Sequence, residues 1–144
     1  MLFTSIAIYI DLKNPFPKDT HILFPESLLF YPVIAFFVEI VFHVLPFALL
    51  LVLSTAIFKN VAFQKHLWIS IVIVALLEPS YQTINMASSP TWAVAIIFIN
   101  LFLFNLTQLI VFKKYDFITM YFFRLLYYMI WHVIWGYFRL DFLF

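Results

Sequence analysis

Five ionisable side chains lie within long apolar stretches of this chain, where charges are rarely found. They are Glu39, His43, Glu78, Arg124 and His132. An ionisable group at the centre of a bilayer costs about 2.5 to 3.5 kcal/mol, so it normally faces a cavity or a partner group. Two carboxylates and two imidazoles at one depth can bind and deprotonate a water molecule, as a hydrolase inside a membrane requires. The same groups could instead hold a divalent metal or pass protons, and their chemistry alone does not choose.

The spacing of these residues places several of them on common helix faces. Glu39 and His43 are four residues apart, so the carboxylate can orient the imidazole. Arg124, Tyr128 and His132 repeat at the same interval and form a polar stripe. Counted from the lysine-containing loops at ~1.5 Å per residue, four of the five ionisable residues fall within about 10 Å of depth. We therefore predict one catalytic cluster with these candidate members: Glu39, His43, Glu78 and His132.

Each polar residue in the spans also has a purely structural interpretation. Glu78 and Arg124 can form a buried ion pair that fixes the register of two helices. Each histidine can satisfy a backbone carbonyl or a tyrosine. Three amide side chains are more typical of interhelical hydrogen bonding than of catalysis: Asn100, Asn105 and Gln108.

The composition excludes a water-soluble fold and several classes of function. Hydrophobic residues make up 66% of the 144 residues and charged residues only 10%, too few to give a soluble fold a polar surface. A formal net charge of +1 provides no basic stripe for phosphates, so no nucleic-acid partner is expected. The chain has no cysteine, which excludes a disulfide framework and a thiolate nucleophile. No cofactor and no resident metal are expected.

Apolar runs divide the chain into membrane spans. A span requires ~20 apolar residues, and four stretches are predicted to cross: about 28–58, 67–86, 91–112 and 117–138. The first is longer than a bilayer needs and contains Pro32 and Pro46, so a tilted or kinked helix is expected. We predict an all-α, polytopic transmembrane helical bundle that forms a single domain over residues 1–144.

The amino-terminal segment 1–10 is apolar but covers only about half of a bilayer before polar residues and prolines end it. We expect a hydrophobic stub, and we expect the chain to be the carboxy-terminal part of a larger architecture. Lysines mark the loops 59–66 and 113–116, which two spans separate, whereas the turn 86–91 carries no charge. Because short cytoplasmic loops are enriched in lysine, both lysine loops are expected to be cytoplasmic and the protein to reside in the plasma membrane.

Two segments separated by two spans resemble the CAAX protease and bacteriocin-processing family of glutamic intramembrane proteases. The segments are 38–43, VEIVFH, and 128–136, YMIWHVIWG. The resemblance covers roughly residues 28–138 and implies a helical membrane bundle in which glutamate activates water to hydrolyse a peptide bond. It also implies a membrane-associated peptide or protein as the substrate. Members of the family are usually longer, so the chain is expected to be a divergent or truncated member.

The resemblance can be followed residue by residue. Glu39 falls on the second glutamate of the family's Glu-Glu-x-x-x-Arg motif, with Val38 at the first glutamate and His43 at the arginine. His132 matches the histidine of a final His-x-x-x-Asn or Asp motif, whose last position is Gly136 here. A middle Phe-x-x-x-His motif is absent. The resemblance implies two water-activating carboxylates and two orienting or oxyanion-stabilising imidazoles: Glu39 and Glu78, and His43 and His132.

Two other functions fit the same sequence. A non-catalytic relative, such as an immunity or assembly factor, would keep the scaffold and use its buried polar residues only for packing. A small transporter or proton relay is disfavoured, because four spans without an evident repeat make a poor alternating-access machine unless the protein oligomerises. The lipid bilayer is the partner that all three functions share.

Overall fold

The computed structural model describes residues 1–84, 86 and 89–143, and within these residues it is built from helices without a strand. We number the helices in chain order as α1 (Leu2–Lys13), α2 (Ser27–Ile57), α3 (Phe63–Ile84), α4 (Thr91–Lys114) and α5 (Phe117–Leu143). A single 3-10 turn, Lys18–Thr20, lies in the connection between α1 and α2. The predicted all-α helical bundle is confirmed.

Helices α2 to α5 are each long and apolar enough to cross a membrane, which agrees with the four predicted spans. Their ends differ from the predicted ones. Helix α3 begins at Phe63 rather than 67, and α5 continues to Leu143 rather than ending at 138. Hydropathy marks the hydrocarbon region alone, whereas a helix continues into the interface as long as its backbone bonds are satisfied. The uncharged turn predicted at 86–91 lies partly outside the described residues.

Two of the spanning helices contain a wide π turn. In α2 this segment is Glu39–Val44, and in α5 it is Met129–Trp135. Pro46 follows the first segment closely; a proline cannot donate to the carbonyl four residues earlier, and its ring crowds that carbonyl. A π turn just before the proline gives the ring room, so α2 continues as one helix over 31 residues instead of breaking.

The predicted amino-terminal stub is a helix that packs into the bundle. Helix α1 lies against α4 and against the π segment of α5, with Ile10 fully buried. The rings of Phe3 and Phe104 meet edge to face at 5.4 Å, and Asn100 Nδ2 donates a hydrogen bond to the Phe3 carbonyl at 3.1 Å. At ~1.5 Å per residue, α1 covers about half of a bilayer.

Two apolar cores hold the helices together, and apolar side chains also cover the outside. The larger core is aromatic and joins α1, α2, α4 and α5: Ala7, Tyr31, Ala35, Phe104, Tyr127, Tyr128, Trp131 and Val133. The smaller core joins α3 to α4: Ile71, Val74, Ala75 and Leu109. Leu29, Val52 and Ile118 on outer faces are more than half exposed, as expected of side chains that contact lipid tails. The chain is therefore an integral membrane protein.

Candidate functional site

A buried arginine lies at the centre of the polar residues. Arg124 of α5 is 1% exposed, and its Nη1 and Nη2 donate to Glu78 Oε1 and Oε2 at 3.0 and 2.8 Å. Its Nε donates to Glu39 Oε1 at 2.7 Å. One planar guanidinium thus binds a carboxylate from α3 with two parallel hydrogen bonds and a carboxylate from α2 with a third.

Amide side chains complete the hydrogen bonding of this cluster. Gln108 Oε1 and Asn105 Oδ1, both on α4, accept from Arg124 Nη2 at 2.7 and 3.2 Å. Gln108 Nε2 also donates a short hydrogen bond to Glu39 Oε1. One turn after Glu78, Gln82 Nε2 donates to Glu78 Oε1 at 3.0 Å. Four helices therefore meet at the arginine, and the predicted interhelical role of the α4 amides is confirmed.

Glu39 and His43 form a buried pair beside the arginine. Both side chains are fully buried, and His43 Nδ1 lies 3.1 Å from Glu39 Oε2. The two atoms lie close together without the alignment of a hydrogen bond, and the pair is ionic only when the imidazole is protonated. Among the described residues, His43 Nε2 has no hydrogen-bond partner. Buried polar atoms of this kind are uncommon and call for a functional explanation.

The charges of the cluster do not cancel without a proton. Glu39 and Glu78 carry two negative charges as carboxylates, and Arg124 carries one positive charge. A protonated His43 would bring the four groups to zero net charge.

The backbone under these residues is itself unusual. Glu39 and His43 belong to the π segment of α2, and His132 belongs to the π segment of α5. Single π turns within α-helices occur frequently at functional sites because they reorient side chains on a helix face. Three of the four candidate residues therefore stand on backbone whose geometry is typical of a site.

His132 lies apart from the other three candidates. Its Nδ1 is 3.0 Å from Nδ1 of His21, and its ring stacks on Tyr31 with centroids 4.2 Å apart. The structure thus brings Glu39, His43 and Glu78 together around Arg124 but places His132 in a separate aromatic group. A catalytic role for any of the four stays a prediction.

A cavity connects the arginine cluster to the His132 group. It has a volume of about 300 Å³, and its wall is largely apolar and aromatic. The polar residues in its wall are Thr20, Tyr31, Glu78, Gln82, Asn100, Arg124, Tyr127, Tyr128 and His132. An apolar cavity with a few convergent polar groups is the usual form of a small binding site. Glu39 and His43 are not in the wall, since they lie behind Arg124.

A second buried ion pair lies outside the predicted cluster. Arg139 Nε and Nη2 donate to Asp11 Oδ2 and Oδ1 at 2.8 and 2.9 Å, and both side chains are fully buried. Trp135 Nε1 donates to Asp11 Oδ2 at 2.7 Å. This pair ties α1 to the end of α5. Both charged residues fall just outside the predicted apolar segments. Their positions in the sequence therefore did not indicate that they would be buried.

His21 was missed for a related reason, because it lies in the connection between α1 and α2. Its side chain is 5% exposed, between the rings of Trp131 and His132. Burial and the positive charge of Arg139 lower the pKa of His21 to about 4, although Asp11 opposes the shift. His21 is therefore neutral near pH 7.

Among the described residues, no group of three or more His, Cys, Asp or Glu side chains is arranged to hold a metal ion. Comparison of the chain with protein-family models, with curated proteins and with solved structures finds no match. The interpretation of the site therefore depends on its own geometry.

Proposed function

We propose that this chain is an intramembrane peptidase, similar in chemistry to the CAAX protease family, in which Glu39 activates a water molecule with the help of His43. The observation that carries the proposal is the buried contact at 3.1 Å between Glu39 Oε2 and His43 Nδ1, with His43 Nε2 left without a hydrogen-bond partner among the described residues. Leaving a buried polar group unpaired costs about 1 to 3 kcal/mol, so a purely structural pair would be expected to be satisfied.

The two oxygens of Glu39 are suited to different tasks. Oε1 accepts from Arg124 and Gln108, which fixes the carboxylate plane. Oε2 is left beside His43. The 3.1 Å between Oε2 and His43 Nδ1 leaves no room for a water between them, so the attacking water would approach Oε2 from another side. It would give its proton to the carboxylate as its oxygen attacks a peptide carbonyl, and general-base assistance of this kind contributes typically ~10² to 10⁴ in rate.

Glu78 receives a different role from the one the sequence suggested. Both of its oxygens accept from Arg124, and Oε1 also accepts from Gln82. A carboxylate so fully engaged is better suited to holding the arginine than to activating water. Arg124, which is in the cavity wall, then supplies positive charge near a developing oxyanion.

The substrate and location belong to the same proposal. A cavity at membrane depth with a largely apolar wall is suited to a membrane-associated peptide or protein. The lysines at 59, 65, 113 and 114 all lie at one end of the bundle, which favours that end as the cytoplasmic one in the plasma membrane.

A non-catalytic scaffold is the second candidate, and one observation favours it. The bidentate Glu78–Arg124 pair, with its amide partners, has the form of a structural link between α3, α4 and α5. Such a link would hold the bundle together without any chemistry. It does not assign a role to His43 Nε2, which is buried without a hydrogen-bond partner among the described residues.

The proposal is tested by following cleavage in cells. Membrane proteins are compared between cells in which the gene is deleted and cells in which it is restored, with chemical labelling of newly formed amino termini. Wild-type protein should generate a set of new termini within or beside membrane spans. Glu39→Gln removes the base while keeping the size of the side chain, so this set should be lost.

The control variant is Glu26→Gln, which changes an exposed carboxylate outside the cluster. It should give the wild-type set of termini. Membrane abundance and thermal unfolding of each variant show whether it is folded. If restoring the wild-type gene yields no new termini, or folded Glu39→Gln yields the same ones, the peptidase assignment is wrong.

A further inference from the structure

Gly136 leaves room for a histidine from another part of the chain. It lies one turn after His132 on α5, and a Cβ at this position would be 3.0 Å from His21 Cβ and 3.1 Å from His21 Cγ. Real Cβ atoms are essentially never closer than this. The His21 side chain therefore fills the space that a side chain at 136 would otherwise occupy.

In that position His21 contacts the nitrogen of His132 that faces it. The two Nδ1 atoms are 3.0 Å apart, which is a hydrogen-bond distance. Between two neutral imidazoles such a bond needs one Nδ1 that carries hydrogen and one that does not. The contact therefore requires that one neutral ring carries its hydrogen on Nδ1 and the other carries its hydrogen on Nε2.

The surroundings of His21 favour one of the two arrangements. His21 Nε2 is buried without a hydrogen-bond partner. If it carried hydrogen, an N–H donor would be orphaned in the interior, which is rarer than an under-used acceptor. The hydrogen of His21 is then on Nδ1 and is donated to His132 Nδ1, which leaves the hydrogen of His132 on Nε2.

The segment that carries His21 is held firmly. Arg139 donates to the carbonyls of Phe16 and Pro17 at 2.7 and 3.1 Å. The Tyr31 hydroxyl accepts from the backbone N–H of Ile22 at 2.8 Å while the Tyr31 ring stacks on His132. The two imidazoles are thus positioned by separate contacts on either side.

We propose that His21 is a positioning residue that holds His132 in the Nε2–H tautomer, so that His132 serves the adjacent cavity as a hydrogen-bond donor and not as a base. The catalytic meaning rests on the proposed function: a neutral N–H in the cavity wall stabilises the oxyanion of a substrate carbonyl. The tautomer itself does not depend on that function.

The test is nitrogen-15 NMR of histidine-labelled protein in lipid nanodiscs near pH 7, because protonated and unprotonated ring nitrogens have well-separated shifts. The four histidines are assigned by single substitution. In the wild type, His132 should show an unprotonated Nδ1 and a protonated Nε2. His21→Phe keeps an aromatic ring against Trp131 but cannot donate, so His132 should become a mixture of tautomers.

A rescue variant separates positioning from packing. In the double variant His21→Gly with Gly136→Asn, which also removes the Cβ at position 21, the amide one turn away can donate to His132 Nδ1, and the single tautomer should return. His21→Asn, which keeps an N–H donor at position 21, should also retain it and serves if His21→Phe does not fold. His66→Phe is the matched control, because His66 is also buried but bonds the Phe58 carbonyl at 3.1 Å elsewhere in the bundle.

A wild-type His132 with hydrogen on Nδ1, or a His132 spectrum that His21→Phe leaves unchanged, would overturn the proposal. Neither result depends on cleavage. The peptidase assignment can therefore fail while the positioning role stands, and the reverse is equally possible.

Discussion

The positively charged guanidinium of one arginine binds two carboxylates that come from different helices. Arg124 reaches Glu39 on α2 and Glu78 on α3, and all three side chains are at most 3% exposed. Removing one partner of a buried pair leaves an uncompensated charge, which is far more costly than replacing the whole group by neutral residues. The arginine is therefore the residue on which the packing of the site depends most.

The first prediction concerns Arg124→Met, which keeps an unbranched side chain but removes the charge and the donors. It should destabilise the protein by about 3 to 5 kcal/mol, the usual effect of breaking a buried ion pair. Thermal unfolding in detergent measures the change. The triple variant that adds Glu39→Gln and Glu78→Gln should recover most of the loss. A single variant as stable as the wild type would show that the cluster is not a structural centre.

Much of this cluster could be predicted from residue type and spacing. The four-residue interval between Glu39 and His43 and their common depth with Glu78 identified three residues that do converge. His132 was counted at the same depth but lies in another group, because depth along the membrane normal does not specify which side of a helix a residue occupies. His21 gave no signal, since a short polar connection does not reveal which interior position it enters.

At the scale of helices, hydropathy predicted which segments would span the membrane, but it could not predict the two π turns. A π turn inserts one residue into a helix without changing its apolar character, so the hydrophobic pattern around Glu39–Val44 and Met129–Trp135 looks ordinary. Only the proline after the first segment gave any indication, as a predicted tilt or kink. The residue that each π turn adds changes which side chains share a helix face beyond that turn. A four-residue spacing in the sequence therefore predicts a shared face less accurately in these two segments.

The start of α5 supports a second prediction. Asp116 Oδ1 accepts from the backbone N–H of Thr119 at 2.7 Å, and this bond holds the pKa of Asp116 below its usual value of 3.8. Asp116→Ala should lower the thermal midpoint at pH 7, whereas Asp116→Asn, which also caps a helix, should lower it less.

The pH dependence of the difference in unfolding midpoint tests whether the charged Asp116 carboxylate is its cause. A depressed pKa in the folded state contributes stability above the unfolded pKa and loses it as pH falls through the folded value. The difference in midpoint between wild type and Asp116→Ala should therefore shrink below pH 3.8. Equal midpoints for all three proteins at pH 7 would mean that the cap does not stabilise α5.

For the whole molecule, four spanning helices place alternate loops on opposite sides. The loop 58–62 and the loop 115–116 lie at one end, and the segment 14–26 and the turn before Thr91 lie at the other. Lys59 lies in the first of these loops, and Lys113 and Lys114 end α4 next to the second, which is the basis of the predicted orientation. Helix α1 adds no crossing, because it covers about half of a bilayer.

The third prediction is the sidedness of these loops. The chain has no cysteine, so single-cysteine variants can be labelled without background. A membrane-impermeant maleimide added to intact cells should label Asp19→Cys and Ser89→Cys but not Lys59→Cys or Lys114→Cys. Permeabilised cells, in which all four should react, are the control. Labelling of the lysine-loop positions from outside would reverse the orientation.

The most direct measurement of the central claim uses His43→Leu. His43→Leu removes the imidazole that lies 3.1 Å from Glu39 Oε2, and its unfolding midpoint and membrane abundance show whether the variant is stable. The claim that Glu39 and His43 act on water predicts that this stable variant loses the new amino termini that the wild type produces. A stable His43→Leu protein that still generates the wild-type set of termini would contradict it.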